Sequence, residues 1–361
     1  MATKLLKGIK VVELAGLAPV PFCGMILADY GAEVTLVLNK SSSSHSPDRR
    51  LDRGKTTLSL DFKTEISRLK KLCMDSDVLL DPFRPGVLEN IGIDPLVLLE
   101  ENKKLIIARL TGYGQTGPLA HKAGHDINYV ALSGFSYFFK PFYAILGLLP
   151  YVSGDRKPYW PPANLLADFA GGSLLSAFAI VAAIYDRTKN GNRGCILECS
   201  MTEGLAYLGR FISLYQDVDL MWNGVYGAFS SKSPIYRTYE TKDAKWIAIG
   251  ALEPKFSAQL FETLGINKTI TEMFSDPEKL ALEMENKFKT KTREEWMEIF
   301  KDKDACVTPV LDLDSVGTFE HHVARQTFEN TEGKWIPKHA PRHYTLEKFF
   351  QLKISKLNSK L

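Results

Sequence analysis

The chain has 361 residues, 45% hydrophobic and 24% charged, enough for a sizeable core and for two domains. A formal net charge of +3 is too small to point to nucleic acid or to an anionic membrane surface. The five cysteines, Cys23, Cys73, Cys195, Cys199 and Cys306, are odd in number and loosely spaced, which predicts a reduced compartment and argues against a zinc site.

The opening MATKLLKGIKVVELAG has the outline of a signal sequence, but Glu13, Pro19 and Pro21 interrupt its apolar run. Lys10–Leu14 (KVVEL) reads as a buried strand and Pro21–Tyr30 as a helix with Pro21 in its first turn. Glu33–Leu38 reads as the next strand, so the chain opens on a βαβ unit of a parallel sheet. No GxGxxG follows the first strand, so nothing here argues for a dinucleotide. The polar loop 39–55 carries Arg49, Arg50, Arg53 and Lys55, which are either a solvated surface or a phosphate clamp. Thr57–Leu60, Val78–Leu80 and Leu105–Leu110 continue the strands, and Lys63–Cys73 is an amphipathic helix between them. The turn at Asp81–Gly86 and the glycine-rich loop Thr111–Pro118 follow strands, at the ends where doubly wound α/β sheets bind ligands.

His125 falls near the start of a helix running to Ser133, and a lone histidine there is either structural or catalytic. The apolar patch 135–151 fits neither a clean helix nor a clean strand. The long apolar helix Ala163–Arg187 comes next, with Asp168 at its start as either an N-terminal cap or a catalytic acid or base. Gly171 and Gly172 cost helix stability, which implies a close neighbour. From Leu174 to Ala183 almost every residue is small or apolar, predicting burial on most sides. Its apolar stretch Phe169–Tyr185 is short for a membrane span and carries Gly171, Gly172 and Ser173, so no span is expected. Cys195–Cys199 reads as a strand and Met201–Asp217 as a helix. A composition shift over 219–233 predicts the crossover into a second domain. That domain holds paired strands Tyr236–Glu240 and Trp246–Gly250, a helix opened by Glu253-Pro254, helices at 276–290 and 292–300, and a strand at 306–311.

The segments GIKVVELAGLAPVPFCGMILADYGAEVTLV, LDRGKTTLSLDFK, DVLLDPFRPGV, ARLTGYGQTGP, AGHDINY, NLLADFAGG, ECSMTEGLAYL, AIGALEPKF and DACVTPVL together resemble the family III CoA-transferases, and within them the α-methylacyl-CoA racemase branch. The resemblance runs from Gly8 to about Asp314. It implies a Rossmann-like large domain, residues 1–220 with the tail 325–361 packing back, plus a smaller α/β domain, residues 221–324. It also implies an interlocked homodimer, with the active site between domains of different subunits. The implied substrate is a 2-methylacyl-CoA thioester, inverted at C2 without metal or redox cofactor, in branched-chain fatty acid or bile acid intermediate metabolism. By resemblance His125 and Asp168 are the two bases, Glu253 fixes the tautomer of His125 and Asn164 supports Asp168. Backbone N–H groups at the start of the Asp168 helix are expected to receive the thioester oxygen. Arg53, Lys55 and Arg84 match positions that line the CoA groove, with Arg109 a weaker candidate.

The sequence departs from that pattern in three places. Val20 and Leu38 stand where a glycine and an acid are usual, 138–151 has no family counterpart, and the end of the chain is short and basic. The apolar stretch 138–151 is expected to line the acyl route or to pack on the partner subunit. Two rival readings remain: a CoA-transferase in which Asp168 is a nucleophile, and a non-catalytic acyl-CoA binder. The last residues, Ser359-Lys360-Leu361, predict recognition by a peroxisomal import receptor, with mitochondria as a second location.

Overall fold

The computed structural model describes residues 4–41, 49–133, 164–215, 217–218, 233–269 and 275–346. The stretch 138–151, the crossover at 219–232 and the Ser359-Lys360-Leu361 address lie outside them. The chain forms two compact units. The first takes the chain up to Thr116, Ser173–Cys199 and everything from Leu313; the second takes Gly117–Gly172 and Ser200–Asp312.

The first unit is built on a six-stranded sheet: β1 (Lys10–Leu14), β2 (Glu33–Asn39), β3 (Thr56–Leu60), β4 (Val78–Asp81), β5 (Ile106–Thr111) and β6 (Ile196–Ser200). Their order across the sheet is β3-β2-β1-β4-β5-β6, the doubly wound order expected from alternating strands and helices. β1 pairs in parallel with β2 and β4, β2 with β3, and β4 with β5. β4 and β5 are buried at every position, as continuous apolar strands covered on both faces should be. Helix Pro19–Asp29 starts two residues before the predicted Pro21, because Pro19 as well as Pro21 fits a first turn, where no N–H partner is needed. A core of Val12, Leu14, Val37, Leu60, Leu69, Leu79, Leu88, Leu98 and Ile107 fills one side of the sheet.

The sheet does one thing the composition alone does not suggest. Glu13, inside β1, is fully buried against Lys55, whose Nζ lies 2.8 Å from the carboxylate and also donates to the Pro21 carbonyl at 2.8 Å. Gly24 makes room for it: a Cβ there would sit 1.7 Å from Glu13 Oε2. Burial raises the Glu13 carboxyl to about 7, against the pull of the Lys55 ammonium.

In the second unit, β7 (Tyr236–Glu240), β8 (Trp246–Gly250) and β9 (Val307–Pro309) form an antiparallel sheet in that order. Helices Pro254–Leu264, Pro277–Phe288 and Arg293–Phe300 share its core, in which Tyr239 stacks on Phe288 and Phe288 meets the edge of Trp296. Thr292 and Glu295 close a capping box at the start of the last of these helices. The sequence reading did not anticipate helix Pro95–Glu101, capped by Asp94, or the exposed hairpin Phe328–Thr331/Lys334–Pro337.

The long apolar segment begins at Leu165 as a π-helix to Leu174 and continues as an α-helix to Arg187. It is long and apolar enough to cross a membrane by length and composition, a test that core helices also pass. The expected burial on most sides is not found. Ser173, Ser176, Ala177 and Ile180 are buried, but Leu174, Phe178, Val181 and Tyr185 are exposed, Phe178 at 71% and Tyr185 at 62%. Spaced four, three and four residues apart, these four share one face.

Candidate active site

Helix Asp126–Leu132 has His125 as its N-cap residue. The His125 backbone N–H donates to Asn128 Oδ1 at 3.1 Å, which sets the chain's entry into the helix and leaves the imidazole exposed. Asp126 turns inward. Its Oδ1 accepts from the backbone N–H of Ala167 at 3.0 Å and of Asp168 at 2.9 Å. The segment carrying His125 and the turn carrying Asp168 are therefore tied together by one carboxylate.

Asp168 lies inside the first turn of the π-helix rather than at its cap, since the helix starts at Leu165. Asn164 precedes it in the left-handed region (φ 62°) and donates from Nδ2 to Asp168 Oδ2 at 2.7 Å. A π-turn of this kind is uncommon and gathers at functional sites. Gly171 explains the glycine signal: a Cβ on Gly204 would lie 2.0 Å from the Gly171 carbonyl oxygen, so two backbones touch here. Asp168 is only 6% exposed, and burial, then the Asp126 charge, raises its carboxyl to about 7, against the Asn164 hydrogen bond. Such a group holds or releases a proton near neutral pH, as a general acid or base must.

Two of the amides at this helix start, those of Ala167 and Asp168, are given to Asp126, so these two are not open to a thioester oxygen. Asp126 itself had gone unnoticed, although an acid directly after a histidine at a helix start was a legible signal.

The remaining candidates are placed as follows. Glu253 is the N-cap residue of helix Pro254–Leu264 and its side chain is exposed. Among the described residues, no hydrogen bond joins it to His125 within this chain. Arg53 makes two hydrogen bonds to Asp29, at 2.6 and 3.2 Å. Lys55 differs from expectation: its ammonium is enclosed with Glu13 and neutralised, rather than presented to a phosphate. Arg84 is exposed on the turn after β4, at the ligand-binding end of the sheet. That turn is braced by Asp81, which accepts from Phe83 N–H at 2.8 Å and is itself clamped by Arg109. Arg109 also reaches Glu89, so it is a buried brace between carboxylates rather than a ligand. No cluster able to hold a metal ion occurs among the described residues.

The profile of CoA-transferase family III matches residues 6–348. The chain is 48% identical to a CaiB/baiF CoA-transferase family protein of Caenorhabditis elegans, over 98% of this chain and 99% of that protein. It is 42% identical to the α-methylacyl-CoA racemase of Mus musculus, over 93% of this chain and 85% of the mouse protein. In architecture it is similar to a CaiB/BaiF family protein from Brucella suis, with a TM-score of 0.71 at 22% identity over 99% of this chain and 100% of that one.

Proposed function

The chain belongs to CoA-transferase family III, and we propose that within it this protein is a racemase that interconverts the two C2 epimers of a 2-methylacyl-CoA thioester. The observation that carries the reading is the buried Asp168 carboxyl, raised to about 7 and fixed by Asn164, on a turn tied through Asp126 to the helix start at His125. A thioester α-C–H is weakly acidic, so inversion needs a base on one face, a proton donor on the other and stabilisation of the enolate between. In the proposed reaction neutral His125 takes the C2 proton while protonated Asp168 returns one to the opposite face. The reverse reaction uses imidazolium and carboxylate. Arg84 and Arg53 meet the CoA phosphates. The family also includes CoA-transferases, such as the succinyl-CoA–L-malate CoA-transferase beta subunit of Chloroflexus aurantiacus at 29% identity, so acyl transfer with Asp168 as nucleophile is the rival reading.

The interlocked homodimer is part of the proposal. The apolar face of Leu174, Phe178, Val181 and Tyr185 supports it, being far too apolar to suit water. In such a dimer Glu253 acts on the partner's imidazole. Peroxisomal import through Ser359-Lys360-Leu361 is proposed where Leu361 is the free carboxyl terminus, and a tagged protein left in the cytosol speaks against it.

The test is hydrogen–deuterium exchange at C2 of each 2-methylacyl-CoA enantiomer in D₂O, without any acceptor acid. Exchange with inversion is expected. His125→Ala abolishes inversion in both directions, while the enantiomer facing Asp168 still exchanges slowly with retention. Turnover that requires an acceptor acid establishes a transferase, and binding without exchange establishes a binding protein.

A further inference from the structure

Asp126 is 5% exposed, and its two oxygens have different surroundings. Oδ1 accepts the two amides of Ala167 and Asp168, whereas Oδ2 is buried with no hydrogen-bond partner. The charge this carboxylate carries is felt by Asp168, itself buried beside it. Two neighbouring carboxyls shut away from water do not both ionise cheaply. The one that accepts two N–H groups is the better anion, and the other is left with the proton. We propose that Asp126 is the positioning residue of this site, pinning the backbone of Asp168 through Oδ1 and, by its own fixed negative charge, keeping the Asp168 carboxyl loaded with the proton it delivers.

Burial raises both groups, and in Asp126 the two amide bonds counter the rise. Helix Asp126–Leu132 packs against helix Met201–Leu208. Among the described residues, the other titratable side chains on these elements are His125, Tyr129, Glu203 and Tyr207. Tyr129 is buried and donates its hydroxyl to the Gly124 carbonyl at 2.5 Å, while His125, Glu203 and Tyr207 are exposed, where water and salt weaken their effect on a buried neighbour. The inference rests on the racemase reading only for what the proton does; the coupling of the two carboxyls stands apart from it.

The unpartnered Oδ2 makes the test clean. In Asp126→Asn the amide oxygen still accepts from Ala167 and Asp168, and the NH₂ takes the place of an oxygen that had no partner, so the charge is removed and the anchor is kept. Carboxyl titration by ¹³C NMR, with aspartate labelled and Asp168 assigned by its loss in Asp168→Asn, should show the Asp168 midpoint falling by about one pH unit or more in Asp126→Asn. The pH profile of C2 exchange should move by the same amount, with kcat lower and KM for the thioester unchanged. An unchanged Asp168 midpoint in folded Asp126→Asn overturns the proposal. If that variant does not fold, Asp168→Asn decides the matter. Asp126 ionises while Asp168 still holds its proton, so in Asp168→Asn the upper midpoint of the pair must vanish and the lower one, that of Asp126, must stay; an Asp126 midpoint found at the upper position overturns the proposal. Wild-type protein that shows the coupled titration but no C2 exchange sinks the racemase reading and leaves the coupling intact.

Discussion

Asp168 holds its carboxyl at about 7 where an unburied aspartate sits at 3.8, so the folded chain keeps a proton that the unfolded chain gives up. Stability from this group is complete below about pH 4 and is lost as the pH climbs to about 7. Asp168→Asn removes that loss and keeps the acceptor for Asn164. The variant should unfold at a higher temperature than wild type, the gap opening between about pH 4 and 7 and then holding, at about 1–3 kcal/mol. C2 exchange should fall by about 10² to 10⁴ in the same variant. Thermal unfolding of both proteins across that range checks it; a gap independent of pH would mean that Asp168 does not titrate there. His125 and Asp168 could be singled out because polar residues of reactive type stood near helix starts, and the family resemblance supplied the roles proposed for them. Lys55 was misread because a lysine in an arginine-rich loop looks exposed. Its partner was visible all along as the acid within KVVEL, a strand with no place for an unpaired charge.

The strands and most helices could be read from the chain because apolar alternation and terminal prolines mark them directly. The hairpin Phe328–Thr331/Lys334–Pro337 escaped because it is largely exposed and carries little apolar pattern. The π-turn escaped for a different reason. Composition specifies an apolar helix but not whether its bonds run to the fourth residue along the chain or the fifth. The closeness of Gly171 and Gly204 was half legible, since a glycine pair marks a close approach without naming the partner. Gly204→Ala places a methyl against the backbone of Gly171, which cannot rotate away as a side chain does. The expected cost is about 1–3 kcal/mol, read as a lower denaturation midpoint.

For the molecule as a whole, the doubly wound sheet followed from the alternation of elements, whereas the exposed stripe on the long helix did not. Uniform apolarity reads as burial, and nothing in a single chain's sequence says whether the cover is its own or a second copy's. Phe178→Glu should therefore yield monomers by light scattering, while wild type runs as a dimer. Subunit mixing probes the same assembly functionally. His125→Ala and Glu253→Gln homodimers should each be impaired. If Glu253 acts across the dimer, a refolded mixture regains exchange, because half of the sites in each heterodimer are intact. A mixture no better than its parents places Glu253 and His125 in one chain.

The tie between Asp126 and the amides of Ala167 and Asp168 has a consequence for tolerance. His125 and Asp126 are adjacent, so from one proposed base to the backbone of the other runs a single peptide link, one short side chain and a hydrogen bond. That path works as a caliper of fixed opening, and it lies wholly within one compact unit. A caliper gauges only the thickness of the carbon placed between its jaws. In the proposed reaction, substrates that differ far from C2, in tail length or branching, fit the same opening, so discrimination among them falls to other parts of the protein and can drift without disturbing the chemistry.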